Sequence, residues 1–188
     1  MRILKIGTFA CVLALAAPPA RAEPIRLGPH AGLTTAWLSE ENNPLIGVTA
    51  GLLASIPIAE NCLFFEPGLA FSMKGGGWSA GEASEDKHYD YIEVPLILRY
   101  GPPPGLFAGI GVAPAVLVHE WRASHGGVSL SEARPFDLSV VGELGGDWQH
   151  FRFALELEVG LVDADRLNSA APPASKTRAL SFLVGWLL

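Results

Sequence analysis

The chain has 188 residues, 49% hydrophobic and only 17% charged, with 21 glycines, 15 prolines and a formal net charge of −6. This length suits one domain with a real core, and the composition excludes a disordered chain and a coiled coil.

The first residues follow a targeting pattern. Arg2 and Lys5 form a basic start, Ile6 to Ala17 an apolar run, Pro18 and Pro19 break it, and Ala20-Arg21-Ala22 fits a cleavage site. The run is shorter than the roughly 20 apolar residues of a spanning helix. The pattern predicts a cleaved signal peptide over residues 1–22 and a mature domain over 23–188. Cys11 has too little apolar sequence before it for a lipoprotein signal. Without Arg2, Lys5 and Arg21, 10 basic residues face 19 acidic ones. That balance argues against nucleic acid as a partner. Cys62 is the only cysteine after residue 22, which excludes an intramolecular disulfide within 23–188.

From there the chain alternates with period two. Arg26–Leu38 and Leu45–Ile56 are predicted strands with looser patterning. In Cys62 to Lys74 one face has Leu63, Phe65, Leu69, Phe71 and Met73, and the other has Phe64, Glu66, Gly68, Ser72 and Lys74. In Asp90 to Tyr100, Ile92, Val94, Leu96 and Leu98 oppose Tyr91, Glu93, Pro95 and Arg99. Leu106–His119 is again looser. In Phe136 to Gly146, Phe136, Leu138, Val140 and Leu144 oppose Asp137, Ser139 and Glu143. The cleanest segment is His150 to Val162: Phe151, Phe153, Leu155, Leu157, Val159 and Leu161 against His150, Arg152, Glu156 and Glu158. Successive strand side chains point to opposite faces, whereas in a helix these charges would scatter around the axis. Leu180 to Leu188 closes the series. These eight strands each reach the roughly 9–11 tilted residues that cross a bilayer.

The connections alternate too. Pro57–Asn61, Gly101–Gly105 and Gly146–Gln149 read as tight turns. Ser39–Pro44, Gly75–Lys87, Glu120–Pro135 and Asp163–Ser175 read as longer or more polar loops, with Gly75-Gly76-Gly77 as a flexible loop start. Short turns at one end and long loops at the other mark a transmembrane barrel. The fold predicted is all-β: an eight-stranded antiparallel up-and-down transmembrane β-barrel in the cell outer membrane, without free edges and so monomeric.

Large Phe, Leu and Trp side chains would overfill a narrow lumen, so the apolar face is predicted to face lipid and the polar face the interior. A charge network of Glu66, Glu93, Arg99, Glu143, Arg152, Glu156 and Glu158 follows, with Arg99 and Arg152 pairing with some of the carboxylates, because an isolated buried charge is costly. Trp37, Trp78, Trp121, Trp148 and Trp186, with Tyr89, Tyr91 and Tyr100, mostly lie near strand ends, as interfacial girdles require; packing against turns fits Trp78 and Trp148 equally well.

The stretch Tyr91-Ile92-Glu93-Val94-Pro95-Leu96-Ile97-Leu98-Arg99-Tyr100 resembles the central strand of the PorT-like outer membrane β-barrel family, with Glu-Val-Pro-Leu its specific core. Phe65-Glu66-Pro67-Gly68-Leu69 and Gly109-Ile110-Gly111-Val112-Ala113-Pro114 are similar to that family's neighbouring strands. The resemblance implies a small barrel with OmpA-like architecture and no particular activity. The C-terminal strand looks like the signal read by the barrel-insertion machinery, although it ends Trp186-Leu187-Leu188 rather than on an aromatic.

No catalytic, cofactor or metal residues are predicted. His119 and His125 lie near Ser124, Ser129 and Ser131, but serine is common in loops and no pattern joins them. Glu82, Glu85, Asp86 and His88 form an acidic loop cluster without EF-hand spacing. The expected function is non-enzymatic: a barrel with a largely filled polar lumen and a structural or surface-interaction role. A soluble periplasmic barrel carrying an apolar ligand and a lipid-modifying barrel enzyme are the alternatives.

Overall fold

The computed structural model describes residues 24–38, 43–59, 62–80, 83–125, 132–163, 165–166 and 176–188. The expected signal peptide lies outside these. The strands are β1 (Arg26–Leu38), β2 (Asn43–Ala59), β3 (Leu63–Ala80), β4 (Ala83–Glu93), β5 (Leu96–Tyr100), β6 (Gly105–His125), β7 (Glu132–Ala133), β8 (Phe136–Trp148), β9 (Phe151–Asp163), β10 (Asp165–Arg166) and β11 (Lys176–Trp186). No helix occurs among the described residues.

β4 and β5 are two runs of one strand, since both lie between β3 and β6. Counted so, eight strands form a ring, each antiparallel to its neighbours, and β1 pairs with β11 to close it. The break between β4 and β5 is Val94-Pro95, inside the Glu-Val-Pro-Leu core. Proline has no N–H to give the ladder. The ladder is carried past it by the Gly68 amide donating to the Pro95 carbonyl at 2.8 Å and the Val94 amide donating to the Pro114 carbonyl at 2.9 Å. Gly68 also makes room for the ring, because a Cβ there would stand 2.9 Å from Pro95 Cγ. The separated motif segments Glu66-Pro67-Gly68 and Glu93-Val94-Pro95 thus interlock. β7 and β10 form a small separate ladder.

Burial follows the period-two pattern, but with the sense opposite to a soluble protein. On β9 the exposed side chains are Phe151, Phe153, Leu155, Leu157, Val159 and Leu161, and the buried ones include Arg152, Glu156 and Glu158. β11 repeats this, with Leu180, Phe182, Val184 and Trp186 outside. From Phe151 to Leu161 the strand rises about 33 Å at ~3.3 Å per residue. At a tilt of about 40° that is a band about 25 Å tall, the height of a membrane barrel's apolar belt.

The interior is narrow. A Cβ on Gly28 would stand 1.7 Å from the Trp186 carbonyl oxygen, and one on Gly51 would stand 2.4 Å from that of Leu69. Glycine lets the wall curl tightly here, and β1 and β3 approach each other across β2.

Two expected loops are strand over part of their length. Gly75–Ala80 continues β3 and pairs with Ala83–His88, leaving only 81–82 between β3 and β4, and β6 runs to His125. Gly75-Gly76-Gly77 is therefore not a flexible loop start. Gly76 and Gly77 pair with Pro44 and Asn43 on one side, and all three pair with Asp86–His88 on the other. A Cβ on Gly75 would sit 2.1 Å from the Lys87 carbonyl, so glycine serves close backbone approach rather than disorder. A bulge opposite Asp90 and Tyr91 sets Leu117 against Tyr91 and His119 against Asp90. Above it, His119 and Trp121 are exposed.

Candidate functional site

The lumen is built in tiers. Nearest the short turns, three arginines from β1, β5 and β9 converge on two carboxylates from β3 and β8. Arg99 Nε donates to Glu66 Oε1 at 2.9 Å, and Arg152 Nη1 donates to Glu66 Oε2 at 2.7 Å. Asp147 accepts from Arg152 Nε at 2.8 Å and Nη2 at 3.1 Å, from Arg26 Nη2 at 3.1 Å and from Arg99 Nη1 at 3.3 Å. Arg99 is completely buried. Its guanidinium carbon lies 4.1 Å from the Phe64 ring centre and 4.9 Å from that of Phe107, which also faces Arg152 at 4.8 Å. Planar, weakly hydrated guanidinium groups lie flat on aromatic faces more readily than an ammonium does.

Further from the short turns, Lys74 on β3 reaches Glu93 on β4 at 2.5 Å and hydrogen-bonds to Glu158 on β9. Hydroxyls line the wall beside it: Thr34 bonds to Ser181 and to Thr49, each at 2.8 Å, and Thr49 bonds to Ser72 at 3.2 Å. Asp137 accepts from Thr177 Oγ1 at 2.8 Å and from the Leu138 amide at 2.7 Å. Leu38, Tyr89, Tyr91 and Ala115 close the lumen above with an apolar cluster, so Tyr89 and Tyr91, expected in an interfacial girdle, are fully buried inside instead.

Between the tiers, Glu143 on β8 and Glu156 on β9 are directly opposed in the ladder. Among the described residues neither has an ion pair, and Glu143 Oε2 has no hydrogen-bond partner. Both line a cavity of about 40 Å³ together with His30, Glu66 and Arg152.

Of the five carboxylates expected to serve the arginines, only Glu66 does so. Glu93 and Glu158 belong to Lys74. Asp147 was missed because Gly146–Gln149 reads as a turn. The signal for it was the odd-numbered series Asp137, Ser139, Glu143, which reaches Asp147 once β8 is extended to Trp148. Phe64 and Phe107 share the strand parity of the polar residues, Phe64 with Glu66 and Phe107 with Gly109 and Gly111; what parity could not show is that the guanidinium groups stack on them.

Outside the lumen, His119 Nδ1 pairs with Asp90 Oδ2 at 3.2 Å and its side chain is 65% exposed. Ser129 and Ser131 lie outside the described residues, as does Glu82, while Asp86 and His88 stand on β4. Among the described residues, no three His, Cys, Asp or Glu side chains are placed to hold a metal. At the short-turn end Trp148 and Tyr100 are exposed, and Trp186 meets Phe151 edge-on at 4.6 Å.

No protein-family model matches the chain, and no curated protein matches its sequence. Among solved structures, Neisserial surface protein A superposes with a TM-score of 0.52 at 14% identity, over 86% of this chain and 96% of its own. Ail of Yersinia pestis superposes with a TM-score of 0.49 at 11% identity, over 88% of this chain and 100% of its own. The outer membrane protein OprG from Pseudomonas aeruginosa gives 0.47 at 15% identity, over 87% and 94%. With its closed antiparallel ring of eight strands, the chain has the fold of the small outer-membrane β-barrels.

Proposed function

We propose that this protein resides in the outer membrane as a non-enzymatic, monomeric barrel whose lumen is plugged by its own charged side chains and whose loop end serves surface interaction. In this reading residues 1–22 are a cleaved signal peptide, the short turns face the periplasm and the C-terminal strand engages the barrel-insertion machinery. Kinship with PorT-like barrels rests on the Tyr91–Tyr100 motif and its interlock with Gly68. The observation that carries the proposal is the inverted burial: a belt of exposed Phe, Leu, Val and Trp around an interior holding Arg99, Arg152, Lys74 and their carboxylates. In water that belt would be an aggregating surface far beyond the few hundred Å² a soluble monomer tolerates. The inward charges also disfavour the soluble carrier, whose cavity would need apolar walls.

The test is to run membrane fractions on a denaturing gel, boiled and unboiled. A faster unboiled band confined to the outer-membrane fraction is expected. An unshifted band released with the soluble periplasm would overturn the reading. The enzyme alternative has one observation in its favour, the exposed His119–Asp90 pair. It predicts hydrolysis of purified outer-membrane lipid that His119→Ala abolishes.

A further inference from the structure

The two ionic tiers balance each other. Arg26, Arg99, Arg152 and Lys74 supply four positive charges, and Glu66, Asp147, Glu93 and Glu158 supply four negative ones. Three buried carboxylates stand outside that balance: Asp137, whose oxygens accept from the Thr177 hydroxyl and the Leu138 amide, and Glu143 and Glu156, which have no such donors among the described residues. Glu143 and Glu156 are opposed residues on adjacent strands, whose Cβ atoms lie about 5 Å apart in such pairs, and like charges so placed repel. Arg152 lines the same cavity, but its guanidinium is engaged by Asp147 and Glu66, and the Lys74 ammonium is engaged by Glu93 and Glu158.

A second observation is independent of the acidic pair. His30, on β1 two strands along the wall from Glu156, is only 9% exposed, and its Nδ1 has no hydrogen-bond partner among the described residues although the residue lines this cavity. Buried polar nitrogens are ordinarily bonded to protein or to ordered water. The open volume of about 40 Å³ has room for about three particles the size of water.

We infer that Glu143 and Glu156 together bind one hard divalent cation of the Mg²⁺ or Ca²⁺ type inside the barrel, with water completing its shell and His30 holding one of those waters. This inference rests on the barrel reading. Carboxylate oxygens and retained water are the ligands such ions prefer, and one divalent charge neutralises the pair. Water must supply much of the shell, because no three His, Cys, Asp or Glu side chains among the described residues are placed to hold a metal by themselves.

The test uses the full barrel refolded in detergent. The temperature at which the compact gel band converts to the unfolded one is measured in EDTA, then in Mg²⁺ or Ca²⁺ at equal ionic strength. Bound Mn²⁺ is counted separately by its resonance spectrum. Expected are a higher conversion temperature with divalent ion and one Mn²⁺ per chain. Both are lost in Glu143→Gln/Glu156→Gln, which stays heat-modifiable and in EDTA converts no earlier than wild type. If the double variant does not fold, Glu156→Gln alone is expected to weaken Mn²⁺ binding about tenfold or more. No divalent effect in wild type, an effect that survives the double variant, or the same stabilisation by Na⁺ at equal ionic strength would each overturn the inference. A wild-type protein with no heat-modifiable band would instead refute the barrel reading itself.

Discussion

Asp147 is where three guanidinium groups meet, so Asp147→Ala tests whether the lumen is a packed ionic plug or a wet channel. The substitution removes four charge-assisted hydrogen bonds: two from Arg152, at 2.8 and 3.1 Å, one from Arg26 at 3.1 Å and one from Arg99 at 3.3 Å. Glu66 remains for Arg99 and Arg152, while Arg26 loses its ion pair. Three positive charges would then share one carboxylate in a region where Arg99 has no contact with solvent. Breaking a buried pair and stranding its partner costs about 3–5 kcal/mol. The middle of that range, about 4 kcal/mol, raises the unfolding equilibrium constant nearly a thousandfold. The assay is urea unfolding of the protein in lipid vesicles, followed by tryptophan fluorescence and by the compact gel band. Arg26→Met is the control: its side chain is 16% exposed and Asp147 keeps Arg152 and Arg99, so this change is expected to cost less than Asp147→Ala. In the double variant the cost of Asp147→Ala falls, since one stranded charge is gone. A loss below about 1 kcal/mol for Asp147→Ala alone would refute the reasoning, because it would mean the guanidiniums are hydrated.

Leu155 lies mid-belt on β9 and is exposed, so Leu155→Arg is expected to destabilise the barrel in a bilayer by about 2–4 kcal/mol, while the same change at Trp148, on the rim, costs about 1 kcal/mol or less. The comparison is made by urea titration in the same vesicles, and equal costs would contradict the assigned belt. Gly68→Val places methyl groups where a Cβ alone already stands 2.9 Å from Pro95 Cγ and 3.2 Å from the Leu52 carbonyl oxygen. Overpacking of this kind costs about 1–3 kcal/mol, and Gly68→Val/Pro95→Ala is expected to recover most of it.

The ring was legible because alternation is a local property of each strand and repeats in every one. His150–Val162 displays both faces within a single segment. The strand ends above Lys74 were not legible. Three consecutive glycines beside polar residues have the composition of a loop, and their pairing with Asn43–Pro44 and Asp86–His88 depends on segments distant in sequence. The same limit applied to the lumen. That Glu66, Arg99 and Arg152 face inward follows from parity along a strand. Which charges stand at one height depends on the stagger between strands, which no single strand records. Lys74 therefore drew Glu93 and Glu158 away from the arginines, and Asp147 entered the site through two strand residues that resemble a turn.

The seam between β1 and β11 is the only pairing in the ring between strands remote in sequence, and there Leu27 and Leu188 exchange backbone hydrogen bonds at 3.1 and 2.9 Å. All the other ladders of the ring join strands that follow one another around it in chain order, so their loop-closure entropy is small, and the entropic barrier to closing the ring is concentrated in this one step. An unclosed sheet would hold two rows of unsatisfied amides and carbonyls against hydrocarbon, at several kcal/mol for each group. A half-built ring is therefore not a resting species in lipid. In the proposed outer-membrane setting, circularisation and entry into the bilayer are expected to form a single cooperative event, so that a lesion at the seam lowers the yield of inserted protein more than the same lesion in any hairpin.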